Sequence, residues 1–160
     1  MKIALIGFGT VGQGFVNILN NKQDMLKTNY HFEPQIVAVA TRSRGTLACS
    51  TGLDPQQLLD AIAAGHLSHY PESQDIQRDA DVITLIAESD ADILVEVSHT
   101  NLETAEPALS YCLSAFEHGK DVVMANKGPV ALHFETLHKH ATKYGRRFRY
   151  EGTVMAGTPS

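Results

Sequence analysis

Apolar residues along this chain fall into short unbroken runs separated by stretches with helical spacing. Ile3-Ala4-Leu5-Ile6 and Ile36-Val37-Ala38-Val39-Ala40 are continuous runs of strand length, the pattern of strands covered on both faces. Between them Val11, Phe15, Ile18 and Leu19 recur at i, i+4, i+7 and i+8, which predicts a helix presenting that face to a core. Asp54-Pro55 supplies an N-cap and a first-turn proline for a helix through Ala64, with Gly65 as its stop. Two similar segments follow, 79–86 and 90–97. Val82, Leu85 and Ile86 fit a helical face, whereas Ile93-Leu94-Val95 fits a buried strand. From Thr104 to His118 the positions Ala108, Leu109, Cys112, Leu113 and Phe116 recur at three and four, with Pro107 in the first turn and Gly119 after the end. Asp121 to Ala125 reads as the next strand, followed by a helix from about Val130 to Tyr144 closed by Gly145. Arg147-Phe148-Arg149-Tyr150 alternates polar and aromatic, which marks a strand at the sheet margin. Asn20 to Pro34, with its Asn, Lys and His content, reads as a surface excursion.

Strands alternating with helices are the signature of parallel βαβ units. The expected fold is therefore α/β: a Rossmann-like, doubly wound, mostly parallel sheet with helices on both faces. In such sheets ligands bind beyond the carboxyl ends of the strands. Gly7-Phe8-Gly9-Thr10-Val11-Gly12 occupies that position after the first strand. Gly7 permits a tight turn, Gly9 leaves no Cβ between backbone and phosphate, and Gly12 lets the helix lie close to the strand. First-turn N–H groups lack intrahelical partners and sit at the positive end of the macrodipole, so they favour a dinucleotide pyrophosphate. The motif alone is weak, and a plain glycine turn is the alternative; its place between strand and helix strengthens it.

Composition narrows the partners. The chain has 160 residues and a formal net charge of −5, with its basic residues scattered apart from Arg146, Arg147 and Arg149, which argues against nucleic acid. No apolar run approaches the roughly 18 residues of a membrane span, and the N-terminal run is too short for a secretory core. Cys49 and Cys112 form no CxxC and suit a reduced, cytoplasmic setting, where both are expected to be inert. Among the eight histidines, His66 and His69 sit in an expected loop, and His133, His138 and His140 lack a third ligand at ordered spacing, so no histidine metal site is expected.

Three further polar clusters follow apolar strands: Thr41-Arg42-Ser43-Arg44, Ser98-His99-Thr100-Asn101 and Asn126-Lys127. An NAD site usually has Asp or Glu after the second strand, accepting from the ribose 2′-hydroxyl. Thr41 and Arg42 stand there instead. Without a carboxylate, Arg42, Ser43 and Arg44 can bind a 2′-phosphate through charge-assisted hydrogen bonds, which favours NADP over NAD. The alternative is that both arginines are solvated loop cations.

The segment Val122 to Leu132 containing Ala125-Asn126-Lys127-Gly128-Pro129, the glycine motif, and the segment Tyr150 to Pro159 together resemble the homoserine dehydrogenase family, in order and across the whole chain. The resemblance implies NAD(P)-linked interconversion of L-homoserine and L-aspartate-4-semialdehyde, on the aspartate-derived route to threonine and methionine. It implies that Lys127 lies catalytically at the junction of coenzyme and substrate, that Ser98 and His99 line the coenzyme near it, and that Phe8, Thr10 and Val11 touch the diphosphate and nicotinamide ribose. It also implies a monovalent cation, sodium, held by Glu151 and main-chain carbonyls of Val154, Ala156 and Thr158; a turn of the same shape without an ion is the alternative. Gly152, Met155 and Thr158 depart from the family pattern.

By the same resemblance, residues 1–150 are the NAD(P)-binding domain and 151–160 begin a hinge into a substrate and dimerisation domain. The whole enzyme is then expected to be a homodimer, and the 160-residue chain to bind dinucleotide without appreciable turnover. Two other readings stay open. One is a stand-alone dinucleotide-binding or redox-sensing module, the other a related dehydrogenase of another amino-acid aldehyde.

Overall fold

The computed structural model describes residues 1–154. Its strands are β1 (Lys2–Ile6), β2 (Gln35–Ala40), β3 (Thr46–Ala48), β4 (Gln77–Arg78), β5 (Ile93–Glu96), β6 (Asp121–Met124) and β7 (Phe148–Arg149). Its helices are α1 (Thr10–Asn21), α2 (Gln23–Tyr30), α3 (Pro55–Ala63), α4 (Val82–Glu88), α5 (Ala108–Glu117) and α6 (Lys127–Lys143). The strands form one sheet in the order β4-β3-β2-β1-β5-β6-β7. β2, β1, β5, β6 and β7 run parallel, whereas β3 and β4 add antiparallel at one edge. The expected α/β architecture is present, and the antiparallel edge is an addition that short, weakly patterned strands do not announce.

The pleat divides the core. Ile3 and Leu5 face Val16 and Leu19 of α1 and Leu58, Ala61 and Ile62 of α3 on one side. Ala4 and Ile6 face Leu85 and Ile86 of α4, Cys112 and Phe116 of α5, and Leu137 of α6 on the other. The register of β2 against β1 jumps from Ile3↔Ile36 to Ala4↔Ala38. Val37 is therefore the extra residue of a bulge, and both Val37 and Ala38 join the α4–α5–α6 core.

Several sequence expectations need correction. The buried face of α1 is Gly12, Val16 and Leu19, while Val11 and Ile18 are 58% and 54% exposed. The physical cause is Gly12: a Cβ there would be driven into the Gly7 carbonyl, so the helix is rotated to bring its bare backbone against the loop. The excursion after α1 lies on the surface but contains α2, which has no buried residue. α5 begins at Ala108 with Pro107 as its N-cap rather than inside its first turn. α6 begins at Lys127, three residues before the expected Val130, and has non-helical backbone angles at His133. α3 matches closely, with the Asp54 side chain accepting from the Gln57 N–H and Pro55 at its start. Among the described residues no helix is long and apolar enough to cross a membrane.

Candidate functional site

Every polar cluster singled out after a strand converges on one edge of the sheet, because parallel strands deliver their carboxyl ends to the same side. Gly7 turns the chain out of β1 at φ +102°, and a Cβ there would sit 2.6 Å from the Val97 carbonyl and Ser98 nitrogen of the neighbouring strand end. Gly7 N–H donates to the Ala40 carbonyl (2.9 Å) and Val97 N–H to that of Ile6 (2.8 Å), so the ends of β2, β1 and β5 are joined at the turn.

Gly9 behaves differently. It is the N-cap of α1, no side chain caps the helix there, and a Cβ at Gly9 would meet nothing within 4 Å. Its lack of a side chain is required by no neighbour in the fold. Beside it the first-turn N–H groups of α1 face outward, the arrangement that receives a phosphate. The donor set and the open space therefore fit a diphosphate. Two side chains hold this loop, since the Phe8 carbonyl accepts from Gln13 Nε2 and Arg44 Nη2, both at 3.1 Å. The Phe8 ring itself is 1% exposed within the α1–α3 core. The Phe8 side chain is thus part of the core packing.

A cleft of about 610 Å³ opens beside the loop. Gly7, Thr41, Arg42, Ser98 and His99 line it. So do Ile6, Ala40, Val82, Thr100, Asn101, Leu102, Glu103, Glu106, Pro107 and Tyr111, of which only Thr100 and Asn101 stood in a polar cluster read from the sequence. Phe8, Gly9, Thr10, Val11, Gly12, Ser43, Arg44, Asn126 and Lys127 are not among the lining residues. The Thr41 hydroxyl is engaged in its own turn, accepting from Arg44 N–H (2.7 Å) and donating to the Gly45 carbonyl (3.0 Å). Arg42 and Ser43 are exposed at the tip.

Asn126 joins the second pair of strand ends. It is 2% exposed and caps α6, its Oδ1 accepting from Gly128 N–H at 3.1 Å. Its Nδ2 donates to Ser98 Oγ (3.4 Å) and to the His99 carbonyl (3.5 Å). Gly128 packs so closely that a Cβ would sit 2.6 Å from the Asn101 carbonyl. Lys127, exposed between these anchored neighbours, stands at the same edge of the sheet as the 98–101 loop.

Beneath that corner lies a residue the sequence reading passed over. Glu96, the last residue of β5, is 0% exposed. Its Oε1 accepts from Ser98 N–H at 3.0 Å, while Oε2 is buried without a partner. Burial pushes its carboxyl above the usual range, and the neighbouring polar groups of Ser98 and Asn126 oppose the shift only in part. The signal was a carboxylate two residues after Leu94, on the buried face of an apolar strand. Burial likewise raises the Tyr111 hydroxyl and, strongly, the Cys112 thiol. Both cysteines are buried and unbridged.

Of the four residues expected to hold a cation, Glu151 and Val154 are exposed, in and just after a 3-10 turn, with Val154 N–H donating to the Glu151 carbonyl at 3.3 Å. Ala156 and Thr158 lie outside the described residues. Among the described residues no three His, Cys, Asp or Glu side chains gather as a metal site.

Residues 7–151 match the family model described as homoserine dehydrogenase, NAD binding domain. The chain belongs to the homoserine dehydrogenase family. It is 42% identical to the homoserine dehydrogenase of Methanocaldococcus jannaschii over 99% of this chain and 46% of that protein. It is 37% identical to an NAD(+)-dependent homoserine dehydrogenase of Pseudomonas canavaninivorans, over 99% of this chain and 44% of that one. A hyperthermophilic archaeal homoserine dehydrogenase solved in complex with NADPH superposes with a TM-score of 0.79 at 28% identity, covering 99% of this chain and 46% of the other. The chain thus spans less than half the length of these homoserine dehydrogenases, and what it corresponds to is their NAD-binding part.

Proposed function

We propose that this chain is the coenzyme-binding part of an NAD(P)-dependent homoserine dehydrogenase, acting on L-homoserine and L-aspartate-4-semialdehyde, with residues 1–150 as the binding domain and 151–160 as the start of a hinge. The single observation that carries the reading is Gly9: an uncapped helix N-terminus beside a glycine whose missing Cβ is demanded by nothing in the fold. When bound, the nicotinamide supplies the hydride-transfer chemistry.

The chain's own residues bind and orient. Main-chain N–H groups at Thr10, Val11 and Gly12 receive the diphosphate. Arg42 and Ser43, exposed at the tip of the 41–45 turn, receive a ribose 2′-phosphate, so NADP is favoured and NAD is accepted more weakly. Ser98 and His99 border the nicotinamide end. There the Lys127 ammonium, with one neighbour buried and hydrogen-bonded and the other packed on Asn101, polarises the substrate carbonyl.

Fluorescence titration of this 160-residue chain with NADPH and with NADH tests the reading. Binding of both, NADPH more tightly, is expected. Absence of binding by either coenzyme overturns it, and tighter binding of NADH overturns the role given to Arg42.

A further inference from the structure

We propose that Glu96 is a positioning residue: its buried carboxyl, lodged where β5 and β6 end, sets the placement of Ser98 and of the Asn126–Lys127 corner, and through them the hold on the nicotinamide end of the coenzyme. The inference rests on the coenzyme-site reading above.

Glu96 pairs in register with Ile6 on β1 and with Met124 on β6, both buried and apolar. A carboxyl between them has no solvation from its strand neighbours, and among the described residues it forms no ion pair. What it does hold is Ser98 N–H, through Oε1. Its main-chain carbonyl meanwhile accepts from Ala125 N–H at 3.0 Å, one residue before the Asn126 that reaches back to Ser98 and His99. The two ends of the Glu96 residue thus fasten both loops, and Asn126 closes the circuit between them.

The ionisable groups coupled to Glu96 from other elements are Tyr111 and Cys112 of α5, and Glu106 and Asp81 in turn act on Tyr111. All are neutral or anionic, so among the described residues no cation offsets a charge on the carboxyl, and a proton on Glu96 is the state this surrounding favours. The protonated carboxyl keeps its acceptor for Ser98 and carries no charge into the buried site. Ionisation would leave a buried charge without a counter-ion, a desolvation cost that the donors from Ser98 and Asn126 offset only in part and that loosens the packing of this corner. Coenzyme affinity therefore falls as pH rises through the titration of Glu96, and a glutamine, which cannot ionise, is insensitive to it.

Calorimetric titration with NADP⁺ of the parent chain, Glu96→Gln and Glu96→Ala, from about pH 5 to about pH 9, is the test, with the ¹⁵N–¹H resonance of Ser98 followed over the same range. Glu96→Gln is expected to bind like the parent at the acid end and to hold that affinity where the parent weakens. Glu96→Ala should lose on the order of tenfold in affinity while keeping its far-UV circular dichroism. Ser98 should titrate in the parent and not in Glu96→Gln. A folded Glu96→Ala that binds as tightly as the parent overturns the proposal, as does a Glu96→Gln whose pH profile copies the parent's. If Glu96→Ala fails to fold, the glutamine profile and the Ser98 resonance decide. A parent that binds no coenzyme overturns the coenzyme reading instead, and the Ser98 titration then still tests the link to Glu96.

Discussion

Arg44 reaches from the turn after β2 to the loop after β1, where its Nη2 donates to the Phe8 carbonyl at 3.1 Å. The contact separates two arginines that the sequence presents as equivalents. Arg44 is half-buried and braces the loop that carries Gly9, whereas Arg42 is exposed on the rim of the cleft. Arg42→Asp should weaken NADPH binding by roughly 1.5–3 kcal/mol, the scale of a lost charge-assisted hydrogen bond, and leave NADH little changed. Arg44→Ala should weaken both coenzymes alike. Parallel titrations of the two variants with both coenzymes distinguish the roles.

The two glycines that flank the first turn of α1 should respond oppositely to a methyl group. Gly12→Ala drives Cβ into the Gly7 carbonyl and has no flexible side chain to displace, so a loss of about 3 kcal/mol or more in unfolding free energy is expected in urea denaturation. Gly9→Ala meets no atom and has φ −84°, so it should cost only the roughly 1 kcal/mol of placing alanine at an N-cap, far less than Gly12→Ala, while coenzyme affinity drops about tenfold or more.

Asn126 supplies the cap of α6 and the bridge to Ser98 and His99. Asn126→Ala should cost about 1–2 kcal/mol of stability from the cap alone, and coenzyme binding should weaken beyond what that loss explains. Comparing denaturant midpoints with binding constants checks both halves.

Glu96 gives the folding free energy a defined slope with pH. Its folded carboxyl titrates above its ordinary value of 4.5, so both states hold the proton below that value. Above it the unfolded chain ionises first, and stability falls as pH rises until the folded carboxyl titrates as well. Glu96→Gln should remove this slope and melt at a higher temperature than the parent at neutral pH, with little difference near pH 4. Thermal melts at the two pH values read the sign directly.

Core and surface apolar residues on the helices should diverge as sharply. Phe116 is 0% exposed and stacks edge-on with Phe148 at 6.0 Å between ring centroids. Phe116→Ala should cost about 3–5 kcal/mol, and Leu132→Ala, at 45% exposed, about 0.5 kcal/mol or less.

Legibility differed by element. The runs at β1, β2, β5 and β6 and the caps of α3 were readable because fully covered strands and capped helix ends leave strong local signals. β3 and β4 were not, because three- and two-residue strands carry too little periodicity to distinguish from loop. The face of α1 was misread by one position, since hydropathy ranks Val11 above Gly12 although only the glycine fits against the Gly7 carbonyl. Thr41, Arg42, Ser43 and Arg44 were read as one polar cluster, yet the Thr41 hydroxyl and Arg44 guanidinium are engaged within the fold while Arg42 and Ser43 are exposed.

What could be known from residue order was whatever depends on near neighbours: the alternation of strand and helix, the glycine turn after β1, and the polar clusters that follow apolar runs. Only the folded chain settled which of these meet, because pairings such as Asn126 with Ser98 and Arg44 with Phe8 span 28 and 36 residues and arise from the parallel register of strands rather than from local spacing. The same register encloses Glu96 between Ile6 and Met124, where the cost of burying a charge, invisible in a linear pattern, becomes the dominant influence on its proton.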